Sequence, residues 1–427
     1  MRPSWFVRSA WLGTACAGLL GCASTSLRRL PAMNVEDCPV ALRGLLDRDE
    51  RLEHTTRDWL GTLPALYPRL SAAELKKKTV GAPSSFRFFR ALAPLFYERI
   101  ETDPLHAHRF ASLKEFRGWM HGDAHPENFG VLLARDGSAR FAANDIDDAG
   151  EGLLYLDALR FLTAARYVAG APTPEELLEV YRAGLRGEDF GWGAAVEKIL
   201  RKSEDRGFEP RKNAYDPESG RLVRSEERVE LADDAQLEAL RERVSRSYGG
   251  RATLRDAVEY RREWGGSGFQ KRFVVLLEFQ SDRAWTDDGR LVVELKQMVE
   301  PATQRLSVNG APTLARRLER SFAVFAGDER GVSPFYQPMP WQGLDFQMRP
   351  RYDGEQGVDL ADWEGGELHH LLRDEMLLLG RMHRRELGAA DARRMAESVE
   401  ALGAETWAAE ARHLHTAFTQ MYRDTRP

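Results

Sequence analysis

His121-Gly122-Asp123-Ala124-His125-Pro126-Glu127-Asn128 is the stretch on which the fold turns, and Asn144-Asp145-Ile146-Asp147-Asp148 follows it one hairpin later. Between them, Phe129 to Arg135 and Ser138 to Ala143 are apolar, strand-like runs flanking Asp136-Gly137, the sequence signal for a two-residue type I′ turn. In that register Arg135 faces Ser138, paired positions sum to 273, and Asn128 lies opposite Asp145. Facing side chains in an antiparallel ladder lie about 5 Å apart on one face, near enough to hold one metal ion between them. An acidic turn or a hydrolytic metal site would use the same residue types. The loop, however, has neither the H-x-H nor the H-E-x-x-H spacing of zinc sites.

Outward from this loop, apolar residues recur at helical spacing from Leu45 to Leu60 and from Phe86 to Ile100. Tyr155 to Ala169 reads as an amphipathic helix, and Thr173-Pro174-Glu175-Glu176 as a helix start, with Thr as N-cap, Pro at N1 and Glu at N3. Lys202 to Ala232 is charged and turn-rich, a surface insertion, and Tyr248-Gly249-Gly250 marks a lobe boundary. Strands follow at Arg272 to Phe279 and Leu291 to Gln297, with a turn at Asp287-Asp288-Gly289 between them, and at Phe346 to Arg349. Helices are expected at Leu314 to Phe325, Leu368 to Leu387 and Ala389 to Tyr422.

The chain has 427 residues, 43% apolar and 30% charged, which excludes wholesale disorder and a polytopic membrane protein. A formal net charge of −5 supplies no global basic field, so no nucleic-acid partner is expected. The three cysteines, Cys16, Cys22 and Cys38, all lie near the N-terminus and cannot staple the remaining chain. Arg2 and Arg8 precede a short apolar run that ends Leu19-Leu20-Gly21-Cys22. This resembles a bacterial lipoprotein signal, residues 1–21, with Cys22 as the lipidated residue and 22–45 as a tether. The resemblance implies a lipid anchor in the cell envelope, at the outer membrane facing the periplasm.

His121-Gly-Asp123-Ala-His125-Pro-Glu-Asn128 is similar to the H-G-D-x-H-x-x-N loop of aminoglycoside phosphotransferases and choline kinases, and Asn144 to Asp148 to their I-D-F/W segment. The chain most resembles the bacterial domain-of-unknown-function family 2252, which shows G-D-x-H-x-x-N-F-G, N-D-F-D-E and, further on, R-L where this chain has Arg160-Phe161. The resemblance implies Asp123 as catalytic base, Asn128 and Asp145 as Mg2+ ligands and Asp157 as a structural brace of the loop. His121 stands beside Asp123 in the catalytic set, more in ordering the loop backbone than in moving a proton; His125 is either a loop residue or a substrate contact.

Such a fold also needs a Gly-rich turn, a phosphate lysine and a glutamate that positions it. Upstream of His121 the lysines are Lys76, Lys77, Lys78 and Lys114, none in a clear strand. Downstream, Gly265-Gly266-Ser267-Gly268 opens a strand, Lys296 lies in another, and Glu319 is on the following helix. Gly266, Gly268, Lys296 and Glu319 are therefore the expected nucleotide set. Leu379-Gly-Arg-Met-His383 resembles the helix that ordinarily precedes the H-G-D loop. The expected architecture is α+β, a two-lobed, circularly permuted kinase-like fold. It has a mainly helical catalytic region at 46–248, an antiparallel-sheet nucleotide region at 249–360 and C-terminal helices at 361–427. The expected function is phosphotransfer, or nucleotidyl transfer, from Mg2+ and ATP or another nucleotide to an unknown small-molecule or protein acceptor. The alternative is a membrane-tethered, non-catalytic scaffold lipoprotein.

Overall fold

The computed structural model describes residues 48–426 except 135, 189, 208, 212–213, 232, 263–264, 280–288, 328–333 and 335. The signal peptide, Cys22, the tether and the Asp287-Asp288 turn lie outside the described residues. The architecture is mixed α+β with antiparallel sheets. Among the described residues no helix is long and apolar enough to cross a membrane.

Short helices open the chain: α1 (Arg48–Thr56), α2 (Trp59–Leu66), α3 (Ala72–Val80), α4 (Ser85–Ala91), α5 (Ala93–Thr102) and α6 (Pro104–Arg109). The helical run expected at Phe86–Ile100 breaks at Leu92, because Pro94, without an N–H, starts a new helix instead of continuing the old one. Then come β1 (Arg117–Met120), β2 (Phe129–Leu133), β3 (Ala139–Ala143) and β4 (Gly150–Leu153), with β1 paired to β4 and β2 to β3. Helix α7 (Tyr155–Ala165) is buried on every face, not amphipathic, and stops short of Ala169. Helix α8 (Pro174–Arg186) begins with the expected capping box between Thr173 and Glu176.

The β2–β3 hairpin corrects the register read from Asp136-Gly137. Phe129 pairs with Ala143 and Leu133 with Ala139, so positions sum to 272, and Asn128 meets Asn144, whose N–H donates to Asn128 O at 3.0 Å. Ala134 N–H bonds Ser138 O, and Gly137 sits at φ 84°. The connection is therefore the three-residue type in which the glycine takes the left-handed position. Asp145 falls just past the strand, and it reaches the site from that loop.

After α9 (Ala194–Arg206) come β5 (Tyr215–Asp216), β6 (Arg221–Leu222), β7 (Arg228–Glu230), α10 (Asp234–Ser247), β8 (Ala252–Tyr260), β9 (Arg272–Phe279) and β10 (Arg290–Gln297). Then follow α11 (Leu314–Ser321), β11 (Gln337–Trp341), β12 (Leu344–Pro350), α12 (Gly365–Leu387), α13 (Ala389–Leu402) and α14 (Ala404–Asp424). Six strands form one antiparallel sheet in the order β11-β12-β10-β9-β8-β7. The stretch Lys202 to Ala232 is thus not merely an insertion: it completes α9 and supplies β7, so the sheet begins before the boundary expected near 248. Pro338 and Pro340 sit on the edge strand β11, where a missing N–H costs no ladder bond.

Alternation along β10 gives the sheet two characters. Leu291, Val293 and Leu295 join the main core, which is continuous with Phe89, Leu159 and Leu378 of the helical part. Val292 faces the other way, with Val258, Val274 and Leu276 beneath Tyr215 and Leu222 of the β5–β6 hairpin. Further along that second face come Glu294 and Lys296, both buried. Lys296 lies in an interior strand, which excludes an edge-gatekeeper role.

A buried charge cluster joins α1 to α14. Arg51 of α1 donates to Asp103 Oδ2 (3.0 Å from Nε) and to both oxygens of Glu410 on α14 (2.7 and 2.8 Å). His106 bridges Glu410 (2.9 Å) and the Tyr155 hydroxyl (3.0 Å). Glu410→Ala leaves Arg51 with Asp103 alone and takes the carboxylate from His106 in a dry site, and its expected cost is about 3 kcal/mol in denaturant unfolding. A loss under about 1 kcal/mol would show that the cluster does not hold α1 and α14 together.

Candidate active site

The 121–128 loop is fixed by its main chain before any side chain is aimed. His121 N–H and Gly122 N–H donate to Asp157 Oδ2 and Oδ1 at 2.6 and 2.9 Å, and Tyr97 Oη donates to Gly122 O at 2.7 Å. Asp157, in the first turn of α7, is itself met by His383 Nε2 of α12 at 3.3 Å, and His383 Nδ1 by the Tyr181 hydroxyl at 2.7 Å. Gly122 has φ 81°, and a Cβ there would lie 1.9 Å from Asp148 O, so the loop and the 145–148 segment touch through backbone alone. Thr303 Oγ1 donates to the same carbonyl at 2.9 Å.

Asp123 accepts four hydrogen bonds from two side chains. Its Oδ1 receives Nε (2.7 Å) and a second guanidinium nitrogen of Arg160, and Asn128 Nδ2 donates to its O (3.0 Å) and Oδ2 (3.3 Å). Arg160 is fully buried and stacks against Phe89 and Phe96. Burial alone would raise the Asp123 carboxyl, but the Arg160 guanidinium holds it well below the ordinary carboxylate range. His121 Nδ1 accepts the Asp123 N–H at 3.2 Å; the ring is fully buried between Phe129 and Phe325 and does not line the cavity. His125 does line it. Arg90 Nε donates to His125 Nε2 at 3.0 Å, and burial with that cation pushes the imidazole down to about 3, so it is neutral. Among the described residues its Nδ1 has no hydrogen-bond partner.

Lys296 meets this loop from the sheet. Its Nζ lies 3.2 and 3.3 Å from the two oxygens of Asp145 and also pairs with Asp147. Burial would raise Asp145, but Lys296 and then Arg349 hold it far below the usual range. Burial and the neighbouring Asp145 instead push Asp147 up, and burial with Asp123 pushes Asp148 up to about 7, against a 2.7 Å bond from Ala302 N–H. Glu319, expected to position Lys296, is exposed. On α11 the inward positions are Leu314, Arg317, Leu318 and Ser321, which turns Glu319 to solvent. The buried glutamate beside Lys296 is Glu294, two residues earlier on the same strand face. It pairs with Arg272 (2.5 Å) and Arg349 (2.8 Å from Nε), and Arg272 also donates to Ser267 of the Gly-rich turn.

A cavity of about 650 Å³ lies over these groups. Asp123, His125, Asn128, Asp145, Asp147 and Asp148 line it, and so do Gly266, Gly268 and Lys78. Among the described residues no three His, Cys, Asp or Glu side chains form a ready-made metal cage. Asn128 and Asp145 nonetheless suit a magnesium ion that keeps waters and takes its remaining oxygens from phosphates. Asp145 is one-third exposed into the cavity, and Asn128 spends its Nδ2 on Asp123, leaving its oxygen for a ligand.

Arg160 and Lys78 are absent from the site read from sequence. The signal for Arg160 was a lone cation in an otherwise apolar helix, which demands an acid partner. For Lys78 it was spacing: with Leu75 and Thr79 it falls on the inward face of α3.

Residues 71–173 match the model of the family described as "Uncharacterized protein conserved in bacteria (DUF2252)", which bears out the family resemblance over that segment. The matched segment runs from the start of α3 to Thr173 and includes Lys78, the 121–128 loop, Asp145 and Arg160. No curated protein and no solved structure matches the chain. Asp157→Ala removes the acceptor for two loop N–H groups, and its expected effect is a loss of about 3 kcal/mol in chemical unfolding. Unchanged stability would mean that the loop does not depend on Asp157.

Proposed function

We propose that this protein is a kinase-like phosphotransferase working with a magnesium-bound nucleotide, built in circularly permuted order with the helical catalytic lobe first. The observation that carries this reading is the Lys296–Asp145 contact at 3.2 Å, across 151 residues of sequence, beside a cavity shared with Asp123 and the Gly-rich turn. His383 of α12, reaching Asp157 from near the C-terminus, supports the permuted order.

Asn128 and Asp145 would hold Mg2+, which when bound neutralises charge on the nucleotide phosphates. Lys296 holds a phosphate oxygen once it exchanges its carboxylate partners for the ligand. Gly266 and Gly268 let the turn approach the phosphates without a Cβ in the way. Asp123, kept ionised by Arg160, orients the acceptor hydroxyl; a loose transition state needs little proton transfer until the bond to the leaving oxygen is largely broken. Catalysis is then positioning and electrostatics.

A second reading rests on a specific feature: Asp123 and Asp145 are each already engaged by a cation, as in a site used for binding rather than turnover. Calorimetric titration separates the two. Wild type is expected to bind Mg-ATP or another Mg-nucleotide, Asp145→Ala to lose the magnesium-dependent part, and Lys296→Met to weaken binding by about tenfold. Asp123→Ala should bind normally yet lose nucleotide turnover. No heat with wild type across the common nucleotides would end the enzyme reading. Anchoring through Cys22 places the site in the cell envelope, where ATP is scarce, so the donor belongs to that screen. Equal palmitate labelling of wild type and Cys22→Ser would refute the anchor.

A further inference from the structure

Lys78 is 2% exposed, yet among the described residues no carboxylate pairs with it. Its Nζ donates to Gly265 O at 3.0 Å and Gly266 O at 2.6 Å and lies 5.1 Å from the Tyr67 ring centroid. Its neighbours Lys76 and Lys77 are exposed, as a solvated helix face requires. Burying an ammonium against neutral carbonyls is costly, and burial pulls Lys78 down to about 8 even with Asp148 and Asp123 nearby. A cation kept at that cost, lining a cavity, is placed to receive an anion from the cavity.

Its surroundings have the same sign. Arg87 (2.9 Å) and Arg90 share the single carboxylate of Glu127, which leaves one positive charge in excess. Both line the cavity with Lys78, as do Asp123, Asp145, Asp147 and Asp148. The cavity therefore carries both signs of charge: carboxylates suited to a divalent cation, and cations that such a metal does not need.

We infer that Lys78, with Arg87 and Arg90, forms a subsite for a phosphate-type oxyanion. It deepens the phosphotransferase reading, on which it rests, by naming the chemistry of one ligand group. That group is either a phosphate of the nucleotide or an anionic group on the acceptor.

Pyrophosphate in EDTA is the probe, titrated calorimetrically into the full chain. Wild type binds it without metal, Lys78→Met weakens binding by about tenfold, and Asp145→Asn leaves it intact or stronger. If Lys78→Met weakens Mg-ATP to the same degree, the anion is a nucleotide phosphate. If Mg-ATP is unaffected, the anion belongs to the acceptor. In wild type, pyrophosphate also slows acetylation of Lys78 relative to Lys76 and Lys77, read by mass spectrometry, so the idea does not depend on a variant folding. No pyrophosphate binding, equal binding by folded Lys78→Met, or unprotected Lys78 overturns the subsite. Pyrophosphate binding without any Mg-nucleotide binding strikes the phosphotransferase reading and leaves the subsite standing.

Discussion

One ammonium group ties the two halves of the molecule together. Lys296 projects from an interior strand into a dry region, where a lone cation is costly, and Asp145 and Asp147 crowd two carboxylates where a lone anion pair is equally costly. Each makes the other tolerable, so the sheet and the 145–148 loop are held in one relation. The rest of the sheet's ionic face follows from it. Glu294, on the same face, gathers Arg272 and Arg349, and Arg272 reaches Ser267 of the Gly-rich turn. A slip of one residue in β10 would turn Lys296 to the side of Leu295, into the apolar core.

The same costs decide which features are legible in sequence. Asp157, the 121–128 loop and Lys296 stand out because each places a polar group where water is excluded, so each must have a partner. The register of the β2–β3 hairpin does not stand out in this way. Asp136-Gly137 fits both a two-residue and a three-residue connection, since the glycine takes a left-handed conformation in either. Only cross-strand pairing distinguishes 273 from 272. Asp145 reaches the cavity all the same, because it lies beyond the strand and is steered by Lys296 and not by the ladder.

Glu319 and Lys78 fail in opposite directions. Glu319 is near Lys296 in sequence, but the face of α11 is set by Leu314 and Leu318, which pack inward and leave position 319 in solvent. Lys78 sits in a run of three lysines, which reads as a solvated face, although helical spacing puts it beside Leu75 and Thr79. Arg160 is legible only with its partner: an all-buried helix tolerates a guanidinium when an aspartate 37 residues away folds back against it. Proximity in sequence is a poor guide to charge pairing across a fold, whereas the inward face of an element is a good one.

The charge count at the cavity's carboxylates gives the last step. Asp123, Asp145, Asp147 and Asp148 line the cavity, and two cations, Arg160 and Lys296, meet them directly. Arg349 is committed to Glu294, and Arg317 gives its guanidinium to the carbonyls of Asp147 and Val299. Arg160 and Lys296 hold Asp123 and Asp145 down, whereas burial, with Asp145 beside Asp147 and Asp123 beside Asp148, pushes the other two carboxyls up. On the proposed function, a divalent cation would favour the ionised form of these carboxyls. On the same reading, a magnesium held by Asn128 and Asp145 would compete with Lys296 for its carboxylate partners and leave the ammonium available to a phosphate. The contact that joins the two halves is on this view also the one that ligand binding must rearrange.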